Sequence, residues 1–221
     1  MVIEGKMVEL FPSRNPGAPL VLLNGEAGEG AAVAEALRRT TKSDFALVAV
    51  SGLRWEGDLT PWPIPPIMKG AAPCAGQADA YIDLLTGRML PQILAGLPAT
   101  PAYLALAGYS LAGLFALYAM YRTDRFARVA SASGSLWYPG IVDYIQNHAP
   151  IRQPDCLYLS LGDKEGRTRN PLMRSVEDNT RLLADFYRDV GIPTALEMNP
   201  GGHFNDPTGR MARAIAWVLE A

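Results

Sequence analysis

Cysteine is scarce in this sequence. Only Cys74 and Cys156 occur in 221 residues, and neither belongs to a CxxC pair. Two isolated cysteines are too few for a disulfide framework and lack the ligand spacing of a zinc site. We therefore predict no metal site and, since no export signal is visible, reduced thiols. No cofactor is expected either.

Long apolar runs are missing as well. No stretch reaches the roughly 18 apolar residues that a membrane-spanning helix requires. The first residues, MVIEGKMVELFPSRNPG, do not show the basic start and apolar segment of a secretory signal. The sequence thus predicts a cytoplasmic protein that has no membrane partner.

No block of lysine and arginine stands out, and the formal net charge is −2. A surface that follows nucleic-acid phosphates would carry such a block, so nucleic acid is not an expected partner. The composition, 49% hydrophobic and 19% charged, is typical of a globular protein. A single domain spanning residues 1–221 is expected. The sequence predicts no particular oligomeric state.

Apolar runs of strand length alternate with segments of helical periodicity. Strands are predicted at 18–25, 44–52, 102–108, 128–136, 156–163 and 193–202. Helices are predicted at 30–41, 77–97 with a kink near 87–91, 110–123, 171–191 and 209–221. This alternation predicts an α/β fold with a mostly parallel central sheet and helices on both faces.

Two connections between these elements are informative. Five prolines between Pro61 and Pro73 predict a loop over 58–76 that forms neither a ladder nor a helix. The stretch 137–155, between two predicted strands, is too short for a large lid, so we expect an open pocket. A short helix within it is predicted to end at His148, a solvated residue.

Ser110 stands where a predicted strand passes directly into a helix, in the sequence GYSLAG. Small neighbours such as Gly108, Ala112 and Gly113 suit a tight strand-to-helix turn that presents a nucleophilic hydroxyl. The alternative is a serine that merely caps the helix. In the nucleophile interpretation, the Leu111 amide at the start of the helix would bind a developing oxyanion.

His203 is the candidate base, because it follows the last predicted strand in the glycine-rich loop NPGGHFND. The loop after strand 156–163 offers two candidate acids, Asp163 and Glu165, in the chain order Ser, acid, His. Either acid could instead be a solvated partner of nearby cations. Asp206 is a weaker candidate, and Glu177 and Asp178 are assigned to the wet face of a helix.

A second oxyanion donor is expected from the backbone after the first predicted strand, at Glu26 or Ala27. The same segment, GEAGEG, is rich in glycine but lacks the GxGxxG and GK[ST] spacings. Its two glutamates would also repel phosphate. A nucleotide site is therefore not predicted there.

Four motifs, GYSLAG, SGSLWYPG, LSLGDKEGRTRNPLM and NPGGHF, together resemble the putative-esterase family of the α/β-hydrolase superfamily. That branch includes siderophore esterases, feruloyl-type esterases and relatives of S-formylglutathione hydrolase. The resemblance implies an α/β-hydrolase fold, with Ser110 as nucleophile and His203 as general base. It places the acid at Glu165 rather than Asp163, because the family's acid closes the turn that begins here at Gly162.

The resemblance also implies that Trp62 and Trp137 belong to loops that line the substrate pocket, although ordinary packing is an equally good interpretation of either ring. The expected activity is hydrolysis of a small-molecule carboxylic ester through an acyl-enzyme. Two alternatives stay open at this point. The same residues would serve an acyltransferase, and a hydrolase fold can also act as a non-catalytic binding protein.

Overall fold

The computed structural model describes residues 1–68 and 70–221, so Lys69 of the predicted proline-rich loop lies outside it. Most strands belong to one sheet, which runs through the middle of the molecule. The strands are β1 (Val2–Ile3), β2 (Lys6–Phe11), β3 (Leu20–Asn24), β4 (Ala46–Ser51), β5 (Pro63–Ile64), β6 (Cys74–Ala75), β7 (Leu104–Tyr109), β8 (Arg128–Ala132), β9 (Cys156–Gly162) and β10 (Thr194–Asn199).

The central sheet has eight strands in the order β1-β2-β4-β3-β7-β8-β9-β10. Along this order, each pairing from β4 through β3, β7, β8 and β9 to β10 is parallel. The pairings of β1 with β2 and of β2 with β4 are antiparallel. In this register Asn24 lies beside Gly108 and Ala132 beside Ser160. The carboxyl ends of β3, β7, β8 and β9 therefore meet at one edge of the sheet.

Helices cover the sheet on both faces. They are α1 (Glu29–Thr40), α2 (Trp55–Asp58), α3 (Ala78–Leu84), α4 (Leu90–Ala95), α5 (Leu111–Ala119), α6 (Ile141–Asn147), α7 (Pro171–Arg174), α8 (Val176–Asp189) and α9 (Pro207–Glu220). Between α3 and α4, residues Leu85–Met89 form a π-helical turn, where the sequence predicts a kink. This turn joins the two helices into one irregular rod.

Two apolar cores separated by the sheet explain the strand sequences. On one face, α1 and α9 pack on alternate residues such as Val21 and Leu23. On the other face, α3, α5 and α8 pack on the intervening residues such as Leu20 and Leu22. Because both faces are covered, β3, β4 and β9 are buried at every position, which is why they are almost continuously apolar.

The structure contains two pairs of strands that the sequence did not predict. The antiparallel strands β1 and β2 were not predicted; β2 is a strand near the sheet edge with a mixed burial pattern and therefore has no continuous apolar run. The prediction that prolines exclude a ladder from 58–76 is wrong at one point. Strand β5 begins at Pro63 and pairs with β6, which is possible because a short edge strand tolerates a residue without an N–H.

Other elements are shorter or divided. The strand predicted at 128–136 ends at Ala132, because Ser133 has a φ of +45° that breaks the extended backbone. The helix predicted at 171–191 is interrupted at Ser175 between α7 and α8. Within the connection from β8 to β9, α6 is the element present, and its C-cap is His148 as expected.

None of the helices in residues 1–68 and 70–221 combines the length and the apolar character that crossing a bilayer would demand.

Candidate active site

Ser110 lies in the sharp turn between β7 and α5, with φ +59° and ψ −123°. A positive φ is unusual for a residue with a side chain, and such strain occurs preferentially at functional sites. The turn is held by the bond from the Ser110 N–H to the Ala132 carbonyl at 3.2 Å. A Cβ on Gly108 would lie 2.2 Å from the Ala112 carbonyl oxygen, so this turn requires glycine there.

Three side chains from three separate loops form a continuous hydrogen-bonded series. The Ser110 hydroxyl lies 3.0 Å from His203 Nε2, and His203 Nδ1 lies 2.7 Å from Glu165 Oε2. Because an ionised carboxylate only accepts, Nδ1 carries the proton and Nε2 is left to accept from the serine. The His203 side chain is 28% exposed and that of Glu165 only 4%.

The second carboxylate oxygen of Glu165, which does not face His203, accepts three hydrogen bonds. Oε1 accepts from the Gly162 amide at 2.7 Å, the Ser133 hydroxyl at 2.8 Å and Arg210 Nη1 at 3.0 Å. Burial raises the pKa of Glu165, but the hydrogen bonds from His203 and Gly162 outweigh it and leave the pKa below its ordinary value. The carboxylate is thus held ionised with one oxygen directed at the imidazole.

The other candidate acids are occupied elsewhere. Asp163 is exposed, and its Oδ1 accepts from the Gly201 amide at 2.7 Å, which supports the loop that carries His203. Asp206 caps α9 by accepting from the Gly209 amide. Glu177 pairs with Arg181 on the surface of α8.

The backbone amides predicted to bind the oxyanion differ in whether they already donate a hydrogen bond. Within the described residues, the amide of Leu111, at the start of α5 beside Ser110, donates to no protein acceptor, and the same holds for the amide of Ala27. The Glu26 amide instead donates to Glu29 Oε2 at 2.8 Å. A side chain from the first residue of α1 therefore occupies one of the expected donors.

Ser110 and His203 open onto a cleft with a volume of about 330 Å³. Most of its lining is apolar or small, and the described lining residues comprise Trp55, Glu56, Ile67, Ala71, Ala72, Cys74, Ser110, Leu111, Ser133, Gly134, Ser135, Trp137, Glu165, Met173, Val176, His203 and Phe204. Phe204 is 90% exposed and stands edge-on to the His203 ring. The cleft thus offers an apolar surface with few charges around the serine.

The two tryptophans expected at the pocket separate. Trp137 lies in the cleft lining. Trp62 is not among the described lining residues: its Nε1 donates to the Pro139 carbonyl at 2.9 Å, and its ring packs edge-on against Tyr118 and Tyr138. Of the two interpretations given for Trp62, pocket lining and ordinary packing, the described contacts support packing, because the ring belongs to an aromatic cluster.

Several residues at the site were missed by sequence reasoning. Arg210 is buried against Glu165, Ser133 donates to the same carboxylate, and Tyr109 donates its hydroxyl to the His203 carbonyl at 2.7 Å. Ser135 Oγ lies 3.4 Å from Ser110 Oγ. Tyr109 is the last residue of β7 and Ser133 directly follows β8, so both carried a positional signal, whereas Arg210 lies in a helix whose sequence gives no hint of this contact.

Comparisons with known proteins identify the family and the fold of this chain. Residues 13–181 match the model of the family described as "Putative esterase". An uncharacterized protein of Bacillus subtilis (strain 168), YbbA, is 24% identical over 153 residues, which are 67% of this chain and 60% of that protein. The chain thus spans less than two thirds of that relative's length.

Two solved structures show the same fold. The siderophore hydrolase EstA from Aspergillus nidulans has a TM-score of 0.76 at 18% identity, covering 97% of this chain and 94% of the other. An IroE-like serine hydrolase from Shewanella oneidensis has a TM-score of 0.82 at 16% identity, covering 97% and 76%. The chain has the α/β-hydrolase fold and belongs to the esterase family described as "Putative esterase".

Proposed function

We propose that this chain hydrolyses carboxylic esters through an acyl-enzyme formed on Ser110. The observation that carries the proposal is the unbroken series from the Ser110 hydroxyl through His203 to Glu165, with distances of 3.0 and 2.7 Å. A serine hydroxyl is a weak nucleophile until a neighbouring base can take its proton, and this arrangement supplies the base. Membership of an esterase family supports the same reaction.

In the first half of the reaction, His203 Nε2 removes the Ser110 proton while Oγ attacks the ester carbonyl carbon. The carbonyl oxygen becomes an oxyanion, which accepts from the Leu111 amide and from an amide of the 26–27 backbone. His203 then gives its proton to the alcohol oxygen as the carbon–oxygen bond breaks. The alcohol leaves and the acyl group stays on Ser110.

In the second half, water takes the place of the alcohol. His203 removes a proton from the water as it attacks the acyl carbon, and returns that proton to Ser110 when the carboxylic acid leaves. Glu165 keeps the imidazole in the required tautomer and stabilises its positive charge in both halves. No group beyond the chain and water enters these steps.

The cleft favours esters whose groups near the reacting carbonyl are apolar and uncharged. Glu56 and Glu165 are the carboxylates among the described lining residues, and no lysine or arginine is among those residues. Burial raises the pKa of the Cys74 thiol in the lining, so this thiol adds no charge to the cleft at physiological pH. The similar protein EstA is described as a siderophore hydrolase, so a siderophore ester belongs in the substrate panel beside feruloyl, acetyl-sugar and short p-nitrophenyl esters.

The proposal is tested with Ser110→Ala and a fluorophosphonate probe. We expect the wild-type chain to hydrolyse p-nitrophenyl acetate and to be labelled on Ser110. The variant should lose at least about 10³-fold in kcat while its unfolding curve stays close to wild type. Residual activity within tenfold of wild type, or labelling at another residue, would refute the assignment of the nucleophile.

A further inference from the structure

Arg210 is one of the largest fully buried side chains of the described molecule, with 1% of its surface exposed. It projects from the first turn of α9 into the space beneath the proposed catalytic residues. Nη1 lies 3.0 Å from Glu165 Oε1 and 3.2 Å from Ser133 Oγ, and Nη2 lies 3.0 Å from the Pro200 carbonyl oxygen. The guanidinium therefore touches the loop of the acid and the loop that leads to His203.

The approach of this guanidinium is built into the backbone. A Cβ on Gly162 would lie 3.0 Å from both Nη1 and Nη2, so the end of β9 leaves room for Arg210 because it has no side chain there. Nη1 also lies 3.3 Å from the Tyr109 hydroxyl, which in turn donates to the His203 carbonyl. Arg210 thus contacts the residue next to Ser110, the acid itself and the loop that carries His203.

Charge explains why this contact matters for chemistry as well as for packing. A buried guanidinium needs a counter-charge, and Glu165 is the carboxylate within ion-pair distance of it in the described residues. Burial favours the protonated form of Glu165. A cation at this distance has the opposite effect, because it favours the ionised carboxylate. The fork of the guanidinium also fixes where Oε1 lies, which leaves Oε2 facing His203.

We propose that Arg210 is a positioning residue of the hydrolytic site, which acts through Glu165 by keeping that carboxylate ionised and aimed at His203. This inference rests on the proposed function. Arg210 touches neither the cleft nor the reacting atoms, so its effect on Ser110 is indirect, and the Glu165–His203 hydrogen bond is the route that this proposal concerns. Its removal should therefore change the pH dependence of hydrolysis, which a purely structural residue would leave alone.

The ionisable groups around this pair come from several elements. Tyr109 is the last residue of β7, His203 comes from the loop before α9, and Glu56 and Cys74 line the cleft. Asp163 and Asp206 lie nearby in sequence, but their carboxylates bind the Gly201 and Gly209 amides. Among these groups, Glu165 is the carboxylate that Arg210 contacts at ion-pair distance.

The test compares Arg210→Met and Arg210→Lys with Arg213→Met, a matched control one turn along α9 whose guanidinium pairs with Glu197 and Asp206 on the surface. Rates of p-nitrophenyl acetate hydrolysis are divided by the sites that react with a fluorophosphonate, so loss of folded protein does not count as loss of activity. Profiles of kcat/KM against pH are recorded for each variant.

We expect Arg210→Met to lower kcat/KM per reactive site by about tenfold or more at pH 7. Its acid-side midpoint should rise by about one pH unit, because the site loses a buried cation and then binds a proton more easily. Arg210→Lys keeps the positive charge but lacks the forked guanidinium. Its acid-side midpoint should therefore lie closer to the wild-type value than its kcat/KM does. Arg213→Met should change neither quantity.

A second comparison covers the case in which Arg210→Met fails to fold. The double variant Glu165→Gln/Arg210→Met contains no unpaired buried charge, and its activity should equal that of Glu165→Gln alone. A further loss in the double variant would overturn the inference, as would an unchanged rate and midpoint in Arg210→Met. A wild-type chain that neither hydrolyses esters nor reacts with the probe would instead overturn the proposed function itself.

Discussion

Glu165 and Asp163 lie two residues apart in one loop, yet their surroundings separate them. The side chain of Glu165 is only 4% exposed and contacts His203, while Asp163 is exposed and accepts from the Gly201 amide. An acid that orients an imidazole must be within hydrogen-bond reach of it, and only Glu165 meets this condition. The two side chains face different surroundings because the chain turns after β9, where the Glu165 N–H donates to the Gly162 carbonyl at 3.0 Å.

This contrast gives a first prediction. Glu165→Gln should lower kcat/KM by about 10²-fold or more, because a neutral amide neither enforces the histidine tautomer nor stabilises its charge. Asp163→Asn keeps an oxygen that can accept from Gly201 and should retain activity within about threefold. Steady-state kinetics on a p-nitrophenyl ester would measure both. Equal losses in the two variants would contradict the assignment of the acid.

Glu29 is a second residue whose contact suggests an experiment. Its carboxylate accepts from the Glu26 amide, so this amide cannot serve an oxyanion until Glu29 moves away. If an enzyme spends part of its time with a donor blocked, its rate falls in proportion to the blocked fraction. Glu29→Ala should therefore raise kcat by about two- to tenfold.

The matched control for Glu29 is Glu35→Ala, which removes an exposed glutamate of the same helix that pairs with Arg39. It should leave kcat unchanged. An unchanged kcat in Glu29→Ala would assign the second donor to Ala27, and a lower kcat would show that Glu29 supports the loop more than it blocks the amide.

At the scale of elements, the turn from β7 to α5 depends on backbone contact. Gly108→Ala would place a methyl group 2.2 Å from the Ala112 carbonyl oxygen, which neither segment can avoid without moving. We expect a loss of about 2 to 4 kcal/mol in the free energy of unfolding, measured by urea denaturation.

Gly87→Ala is the control for this prediction. Gly87 lies in the π-helical turn between α3 and α4, where an added Cβ meets nothing within 4 Å. The free energy of unfolding should stay within about 1 kcal/mol of wild type or rise slightly. If both alanine variants unfold at the same urea concentration, the close contact at Gly108 is not what restricts the turn.

The elements that could be predicted from sequence are those with a strong local signal. Strands β3, β4, β7 and β9 are buried on both faces and show as apolar runs. Strand β2 mixes exposed and buried positions close to the sheet edge, and β5 begins with proline, so neither has such a run. These elements depend on a partner strand that is distant in sequence, which no local pattern reveals.

At the scale of the whole molecule, buried carboxylates link distant segments and make stability depend on pH. Glu165 joins the loops of the site, and Asp58 at the end of α2 binds Lys6 of β2 and Arg54. Burial raises the pKa of both groups, but hydrogen bonds from His203 to Glu165 and from Lys6 to Asp58 leave each pKa below its ordinary value. In the folded protein both groups are thus ionised at a pH where the unfolded chain would already bind protons.

The sign of the effect follows from the lowered pKa values. The stabilisation is fully present above about pH 4.5 and is lost as pH falls through the folded-state values, at up to about 1.4 kcal/mol per pH unit for each group. Urea midpoints between pH 7 and pH 3 should therefore fall on the acid side. Glu165→Gln and Asp58→Asn should each flatten this decline, and a steeper decline in either variant would contradict the argument.

By itself the sequence determined the alternation of strands and helices, the tight turn at Ser110 and the loop that carries His203, because apolar runs and small residues act locally. The tertiary structure alone decided the partners. Residues separated by 93 and 38 positions meet in the Ser110–His203–Glu165 series only once parallel strands bring their carboxyl ends to one edge. The burial of Arg210 against Glu165 and the removal of Trp62 from the cleft depend on packing between distant elements, for which a single sequence contains no local signal.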